Sequence, residues 1–400
     1  MNIIKSNYSP KGDGLTVVVD AGDFHFGAKD DERLADEYEK YFNSTIEENA
    51  DGIDLVTITG DLFHKELKIS SDSFRLLLRC FTKTLTICEK ANIPVRLLQG
   101  TMSHDRGQVE TLGIALAHFR NFKIITTCCV EEFYDGFKVL YIPEEYPKDM
   151  HEFYKEYIYE APDNAYDFVF FHGTMDFQAF ASQAFESELA MESAPVFKSD
   201  DLIRVCKGPI TGGHIHTACD YKQRVFYHGS FSRTCQGEPK SKGFMYFVYN
   251  RNDGTFDYEF VENEDAPIYK SLSIDELFEG SAENAETFMK ALEAASSDSS
   301  ITYRFVMSEK LAKEHPEIKK VVSDFSTDSK NLNFQIKRSV SKVEDVETQQ
   351  MEDEEGEQNE LAFLADPSLD YSEKISLFME KKFCTKVELD KIRLIISGET

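Results

Sequence analysis

Four hundred residues exceed what a single core usually organises, so one large domain with smaller companions is expected, and a hydrophobic content of 41% is ample for real cores. A net charge of −28 argues against a chain that coats nucleic acid or an anionic membrane without specificity, while leaving room for a local basic groove. The eight scattered cysteines show neither a disulfide framework nor paired C-x-x-C spacing, and there is no basic-then-apolar leader and no run of eighteen apolar residues, so a reduced, soluble, cytoplasmic protein without a membrane partner is expected.

In chain order, residues 15–20 predict a strand, and 21–27 a loop carrying Asp23-Phe24-His25. Leu34, Tyr38, Tyr41, Phe42 and Ile46 recur at helical spacing over 31–49. The apolar, β-branched run 55–59 then reads as a strand buried on both faces; Gly60 ends it, and Asp61 projects past its C-terminal edge, where open α/β sheets gather ligands, with His64 three residues on. Strand, helix, strand implies a parallel crossover. The pattern repeats: Phe74, Leu77, Leu78, Phe81, Leu85 and Cys88 form one helical face before a strand at 94–99 and the loop Gly100-Thr-Met-Ser-His-Asp105.

Strands are predicted at 123–127, 138–142 and 167–171, the last leading into His172-Gly173. A polar, helical stretch over 177–191 separates these from Pro209-Ile-Thr-Gly-Gly-His-Ile-His216. From 224 to 261 short strands alternate with turns, which suits an antiparallel sheet packed beside the first, with Asn252-Asp253-Gly254 as a hairpin signal. Strands at 301–307 and 332–337 flanking a helix at 309–322, with a preceding helix at 283–295, suggest a small α/β domain. Residues 343–360 hold nine acidic residues and no Lys or Arg, the composition of a solvated linker, and two short amphipathic helices, at 372–383 and 387–396, suggest a docking element.

Five loops follow predicted buried strands and offer Asp23 and His25; Asp61 and His64; His104 and Asp105; His172; and His214 and His216. Carboxylate with imidazole suits borderline divalent metals such as Mn²⁺, Fe²⁺ or Zn²⁺, and so many groups suit two ions sharing a carboxylate, for which Asp61 is the natural bridge. Two ions, roughly 3.5–4 Å apart, clamp the attacking and leaving oxygens of a phosphoryl displacement.

These loops resemble the metal motifs of the calcineurin-like metallophosphoesterase superfamily. Asp23-Phe-His-Phe-Gly27, Gly60-Asp-Leu-Phe-His64, Gly213-His-Ile-His216 and Gly229-Ser-Phe-Ser-Arg233, with Glu238 and Lys242-Gly243 beyond, resemble the SbcD-type DNA double-strand-break-repair nuclease. The resemblance implies an α/β fold, a four-layer sandwich of two mixed β-sheets flanked by helices, with a small α/β cap domain and C-terminal helices. It implies a nuclease domain at 1–263, a DNA-contacting cap at 264–340, an acidic linker at 341–366 and an ATPase-docking element at 367–400.

By the same resemblance one ion, Mn²⁺ foremost, would be held by Asp23, His25, Asp61 and His216, and a second by Asp61, His172 and His214. His104 would protonate the leaving oxygen or stabilise the transition state, and His64 would position it. The third loop departs from the family's Gly-Asn-His-Asp: it is two residues longer and lacks the Asn ligand, so Ser103, Thr101 or a backbone carbonyl is expected to supply a weaker neutral oxygen.

The implied partners are DNA, an SbcC-type coiled-coil ATPase and a second copy of the chain. Arg224, Arg233, Lys240 and Lys242, with Lys319, Lys320, Lys337 and Arg338 in the cap, are candidates for a basic groove. A small-molecule metallophosphatase and a non-catalytic scaffold for the ATPase are the competing expectations.

Overall fold

Side chains alternate across a strand, and here the alternation sorts the chain into four layers. In the computed structural model, described over residues 1–337 except 13, 29, 106, 134–135, 180–194, 235–237, 239, 278–281, 298–300 and 329–331, two mixed sheets face each other. The expected linker and docking helices, Arg338, and most of the helix expected over 177–191 lie outside the described residues.

The first sheet runs Phe256–Glu262, Gly243–Asn250, Leu15–Ala21, Leu55–Thr59, Val95–Leu98, Phe122–Ile125, with the last four parallel and the first two antiparallel. The second has seven strands: Ile3–Lys5, Cys129–Glu132, Lys138–Ile142, Phe168–His172, Ile210–Gly213, Val225–Tyr227 and Cys219–Tyr221. From Lys138–Ile142 through Val225–Tyr227 its pairings are parallel. The separate antiparallel sheet expected over 224–261 does not form. Gly243–Asn250 pairs with Leu15–Ala21 and extends the first sheet, while Val225–Tyr227 joins the second.

Val18, Leu55 and Leu98 pack between the sheets against Val139, Tyr141, Phe168 and Phe170. Their sequence neighbours Val19, Val56 and Leu97 face outward, onto Leu34, Tyr38 and Phe42 and onto Phe74, Leu77, Phe81 and Leu85. The latter four lie on the helix Asp72–Lys90, whose start is capped by the Ser71 hydroxyl accepting from the Phe74 N–H. The helix expected over 31–49 is continuous, but it widens to a π-helical segment at Tyr38–Asn43 between the α-helical Asp31–Glu37 and Ser44–Glu48. Leu140, Val169, Phe171 and Ile210 cover the second sheet's outer face together with Tyr154, Ile158, Leu202 and Val205.

The inner layer is not wholly apolar. Arg96 from the first sheet, fully buried, holds Glu131 of the second through two 2.7 Å hydrogen bonds and donates to the carbonyls of Val95 and Asn121. Asp20 accepts from Thr57 Oγ1 at 2.6 Å and, across the layer, from Thr211 Oγ1 at 2.7 Å. Burial pushes its carboxyl up to about 7.

Folded Asp20 therefore keeps its proton through a range in which the unfolded chain has released it. The stability contributed by the neutral form decays as pH rises from about 4 to about 7. In urea titrations of the metal-free chain, the advantage of wild type over Asp20→Asn should shrink by at most about 4 kcal/mol between pH 4 and 8. A difference that stays flat across that range would show that Asp20 does not titrate in this way.

Residues 268–337 build a third sheet, with Ile268–Ser273, Ile301–Ser308 and Leu332–Lys337 all parallel. Ile274, Phe288, Leu292, Phe305, Met307, Ile318 and Val322 form its own hydrophobic cluster. The first of these strands went unpredicted.

Candidate metal centre

Every predicted site loop leaves the C-terminal end of a parallel strand, and the first two loops hold each other. Asp23 N–H donates to Gly60 O at 3.0 Å, His25 N–H to Asp61 O at 3.1 Å, Phe26 N–H to Leu62 O at 3.0 Å, and His64 N–H to Phe26 O at 2.9 Å. Nine non-glycine residues among those described have positive φ, and four of them are predicted ligands: Asp23 (49°), His25 (53°), Asp61 (48°) and His214 (92°). Such backbone costs of order 1–3 kcal/mol per residue and persists where the surroundings over-determine it. Two glycines let the loops close in. A Cβ on Gly60 (φ 87°) would lie 2.3 Å from His172 Nδ1, and one on Gly213 would lie 2.9 Å from Asp23 Oδ2.

The donor atoms of Asp23, His25 and His216 lie within 4.8 Å of one another, with the two Nε2 atoms of His25 and His216 standing 2.8 Å apart. Glu238 Oε1 takes His216 Nδ1 at 3.0 Å, which leaves Nε2 facing the group. Glu238 is buried, accepts the Thr234 N–H, and lies 3.5 Å from Lys242 Nζ. Burial pushes Asp23 up to about 6 against the pull of His172 and His216; burial and the neighbouring imidazoles hold His25 well below the usual range, in the neutral form a metal requires. His25 Nδ1 is buried with no hydrogen-bond partner among the described residues.

Asp61, His172 and His214 form a second such group, all buried. His172 Nδ1 donates to Thr59 O at 2.7 Å, aiming Nε2 at Asp61 Oδ2, 3.3 Å away. Burial opposes charge on His172, but the carboxylates of Asp61, Asp23 and Glu144 outweigh it and hold its pKa well above the usual value. Asp61, opposed in turn by burial, is held well below the ordinary carboxylate range by His172, His104 and His25. Buried carboxylates and imidazoles thus balance one another in this pocket, and its donor set can hold divalent metal.

His25, His64 and His104 make a third group. His104 Nδ1 donates to His64 O, which turns Nε2 toward Asp61 Oδ2 at 4.0 Å. Asp105 fastens the loops from below, accepting Gly100 N–H at 2.7 Å and Phe63 N–H at 3.3 Å. All eight predicted site residues therefore meet in one pocket.

Several residues stand elsewhere than expected or went unread. The third loop closes into a helical turn, Met102–Asp105, as Thr101 O accepts from both His104 and Asp105 N–H. Of the proposed substitutes for the Asn, Thr101 reaches the second group: its N–H donates to Asp61 Oδ1 at 2.6 Å, and its hydroxyl lies 3.3 Å from His172 Nε2 and 3.4 Å from His214 Nδ1.

Glu144 was missed, although it follows the strand Lys138–Ile142 by two residues, the same offset that puts Asp23 after Leu15–Ala21 and Asp61 after Leu55–Thr59. Glu238 has no role that its sequence context announces. Among the candidate groove cations, Lys242 is buried and donates to His216 O and Ser230 Oγ, while Arg233 donates to the carbonyls of Glu238, Lys240, Ala266 and Pro267. Arg224 likewise caps the carbonyls of Cys206, Lys207 and Gly208. These three pin loops.

No family model matches the chain, and no curated protein matches it. Among solved structures, the Thermus thermophilus protein TT1561 is similar over 62% of this chain and 99% of its own, at 9% identity and a TM-score of 0.34. A second crystal structure covers the same shares at 10% identity and a TM-score of 0.36. No helix among the described residues is long and apolar enough to cross a membrane.

Proposed function

We propose that this chain is a metallophosphoesterase of the SbcD type: a DNA exonuclease and endonuclease that hydrolyses phosphodiester bonds with two divalent ions, Mn²⁺ foremost, as the dimeric nuclease subunit of a complex with an SbcC-type coiled-coil ATPase in recombination, repair or replication. The observation that carries it is the convergence of Asp23, His25, Asp61, His172, His214 and His216, from the strand ends of both sheets, into two adjoining groups of metal-ligating atoms. Asp23, His25, Asp61 and His216 would hold one ion, and Asp61, His172 and His214 the second. Bound there, the pair supplies neutralisation of phosphate charge and a nucleophile near neutral pH.

The chain's own groups do the rest. Glu238 and Thr59 O fix the His216 and His172 rings, and so which nitrogen each presents. His104, steered by His64 O, presents Nε2 to the reacting phosphate as the proton donor or charge stabiliser. Residues 264–340 would contact DNA, and 367–400 would dock on the ATPase.

The test is cleavage by the full chain, with Mn²⁺ and with chelator, of linear duplex and short single-stranded DNA beside a generic phosphomonoester. Mn²⁺-dependent DNA products are expected. Turnover of the phosphomonoester alone would make the chain a small-molecule phosphatase, and no turnover of any substrate by metal-loaded protein would leave the scaffold reading.

A further inference from the structure

Glu144 is 2% exposed, and among the described residues its only ion-pair partners are imidazoles. A carboxylate is not left in such a place without compensation. It is also firmly aimed. Its N–H donates to Gln99 O at 3.2 Å, tying this loop of the second sheet to a strand end of the first, and Tyr146 OH donates to Oε1. Oε2 is thereby turned toward Asp61, His172 and His214.

Around that oxygen the distances form a pattern. Thr101 Oγ1 lies 3.2 Å from Asp61 Oδ2, 3.1 Å from Glu144 Oε2, 3.3 Å from His172 Nε2 and 3.4 Å from His214 Nδ1. Around the other four, Asp61 to His172 is 3.3 Å, His172 to Glu144 is 3.6 Å, and Glu144 to His214 is 3.6 Å. Donors at neighbouring corners of an octahedron about one ion, with ligand lengths of about 2.2–2.5 Å, have this spacing.

Hydrogen bonding alone does not account for it. A threonine hydroxyl has one proton to donate. It cannot serve two carboxylate oxygens and two imidazole nitrogens at once, and His172, whose Nδ1–H goes to Thr59 O, can add at most one further proton, on Nε2. A divalent cation satisfies all five atoms together.

We propose that Glu144 is a direct ligand of the second divalent ion, sharing it with Asp61, His172, His214 and the Thr101 hydroxyl. This rests on reading the pocket as a metal centre. Three oxygens and two imidazole nitrogens in octahedral array suit Mn²⁺ or Fe²⁺ better than tetrahedral Zn²⁺. A second carboxylate also binds the ion more firmly than a neutral oxygen would. Glu144 also lines a cavity of about 660 Å³ together with Gln99, Met102 and Tyr146.

The test is calorimetric titration of the metal-free full-length chain with MnCl₂, with metal content measured after gel filtration, for wild type, Glu144→Gln and Tyr146→Phe. Wild type should show two sites. Glu144→Gln should keep one affinity and weaken the other about 10–100-fold or more, and Tyr146→Phe, which frees the carboxylate to swing, should weaken the same site by up to about tenfold. Two wild-type sites with both affinities unchanged in Glu144→Gln would overturn the assignment while sparing the metal centre. A wild-type chain that binds no Mn²⁺ would overturn both. If Glu144→Gln does not fold, as judged by circular dichroism, unchanged affinities in Tyr146→Phe would overturn it.

Discussion

Replacing Asp61 by alanine should empty the site of both ions and abolish metal-dependent phosphodiester cleavage. Asp61 Oδ2 belongs to the His172 group, and its carboxylate also faces the His25 and His104 side of the pocket. Without it the remaining donors form two incomplete sets, and the buried imidazoles around it lose the charge that balances them. The substitution has a backbone cost as well, because φ at this position is 48° and alanine tolerates that region poorly. Asp61→Asn is therefore the better-matched variant: it keeps the short polar side chain that such a backbone accepts and removes only the charge. Metal content by mass spectrometry decides the matter. Two tightly bound ions persisting in either variant would remove Asp61 from the bridge, and loss of one alone would make it a ligand of a single ion.

The second large effect separates chemistry from binding. His104→Ala should lower turnover by about 10²–10⁴-fold while leaving metal content unchanged. His104 is oriented by a backbone carbonyl, and its Nε2 stays 4.0 Å from Asp61 Oδ2. The alternative has a clear signature, because His25, His64 and His104 themselves have ligand spacing. If His104→Ala loses an ion, His104 is a ligand, and the proton must come from another group.

Much of this site was legible in the sequence because two local signals coincided: buried strands written as apolar, β-branched runs, and Asp or His within a few residues of their ends. Chain order and strand spacing then required the loops to meet at one edge. What escaped has physical causes. Ile3–Lys5 and Cys129–Glu132 are short, and they pair with each other across more than a hundred residues, so no local pattern marks them. Alternation at Gly243–Asn250 announces a strand with one face more buried but does not say which sheet receives it, and its partner is Leu15–Ala21 at the far end of the domain.

Ser103 was placed first by counting back from His104. The chain instead absorbs its two extra residues in a helical turn, and Thr101, fastened to Asp61 through its own N–H, reaches the pocket. Glu144 carried the right offset from its strand, yet it is one of 72 acidic residues, and nothing local distinguishes it from the rest.

The donors come from both sheets: Asp23, His25, Asp61 and Thr101 from strand ends of the first, Glu144, His172, His214 and His216 from those of the second. An ion bound among them is a rivet through the two halves of the sandwich, and cofactor supply becomes a thermodynamic setting on how tightly those halves are clamped. By mass action, free metal at a hundredfold its dissociation constant adds about 2.7 kcal/mol per site, a sizeable share of what keeps a domain folded. The melting temperature is then itself a gauge of occupancy. A chelator should lower it, and differential scanning calorimetry at graded Mn²⁺ should report binding to the sandwich without a substrate ever being added.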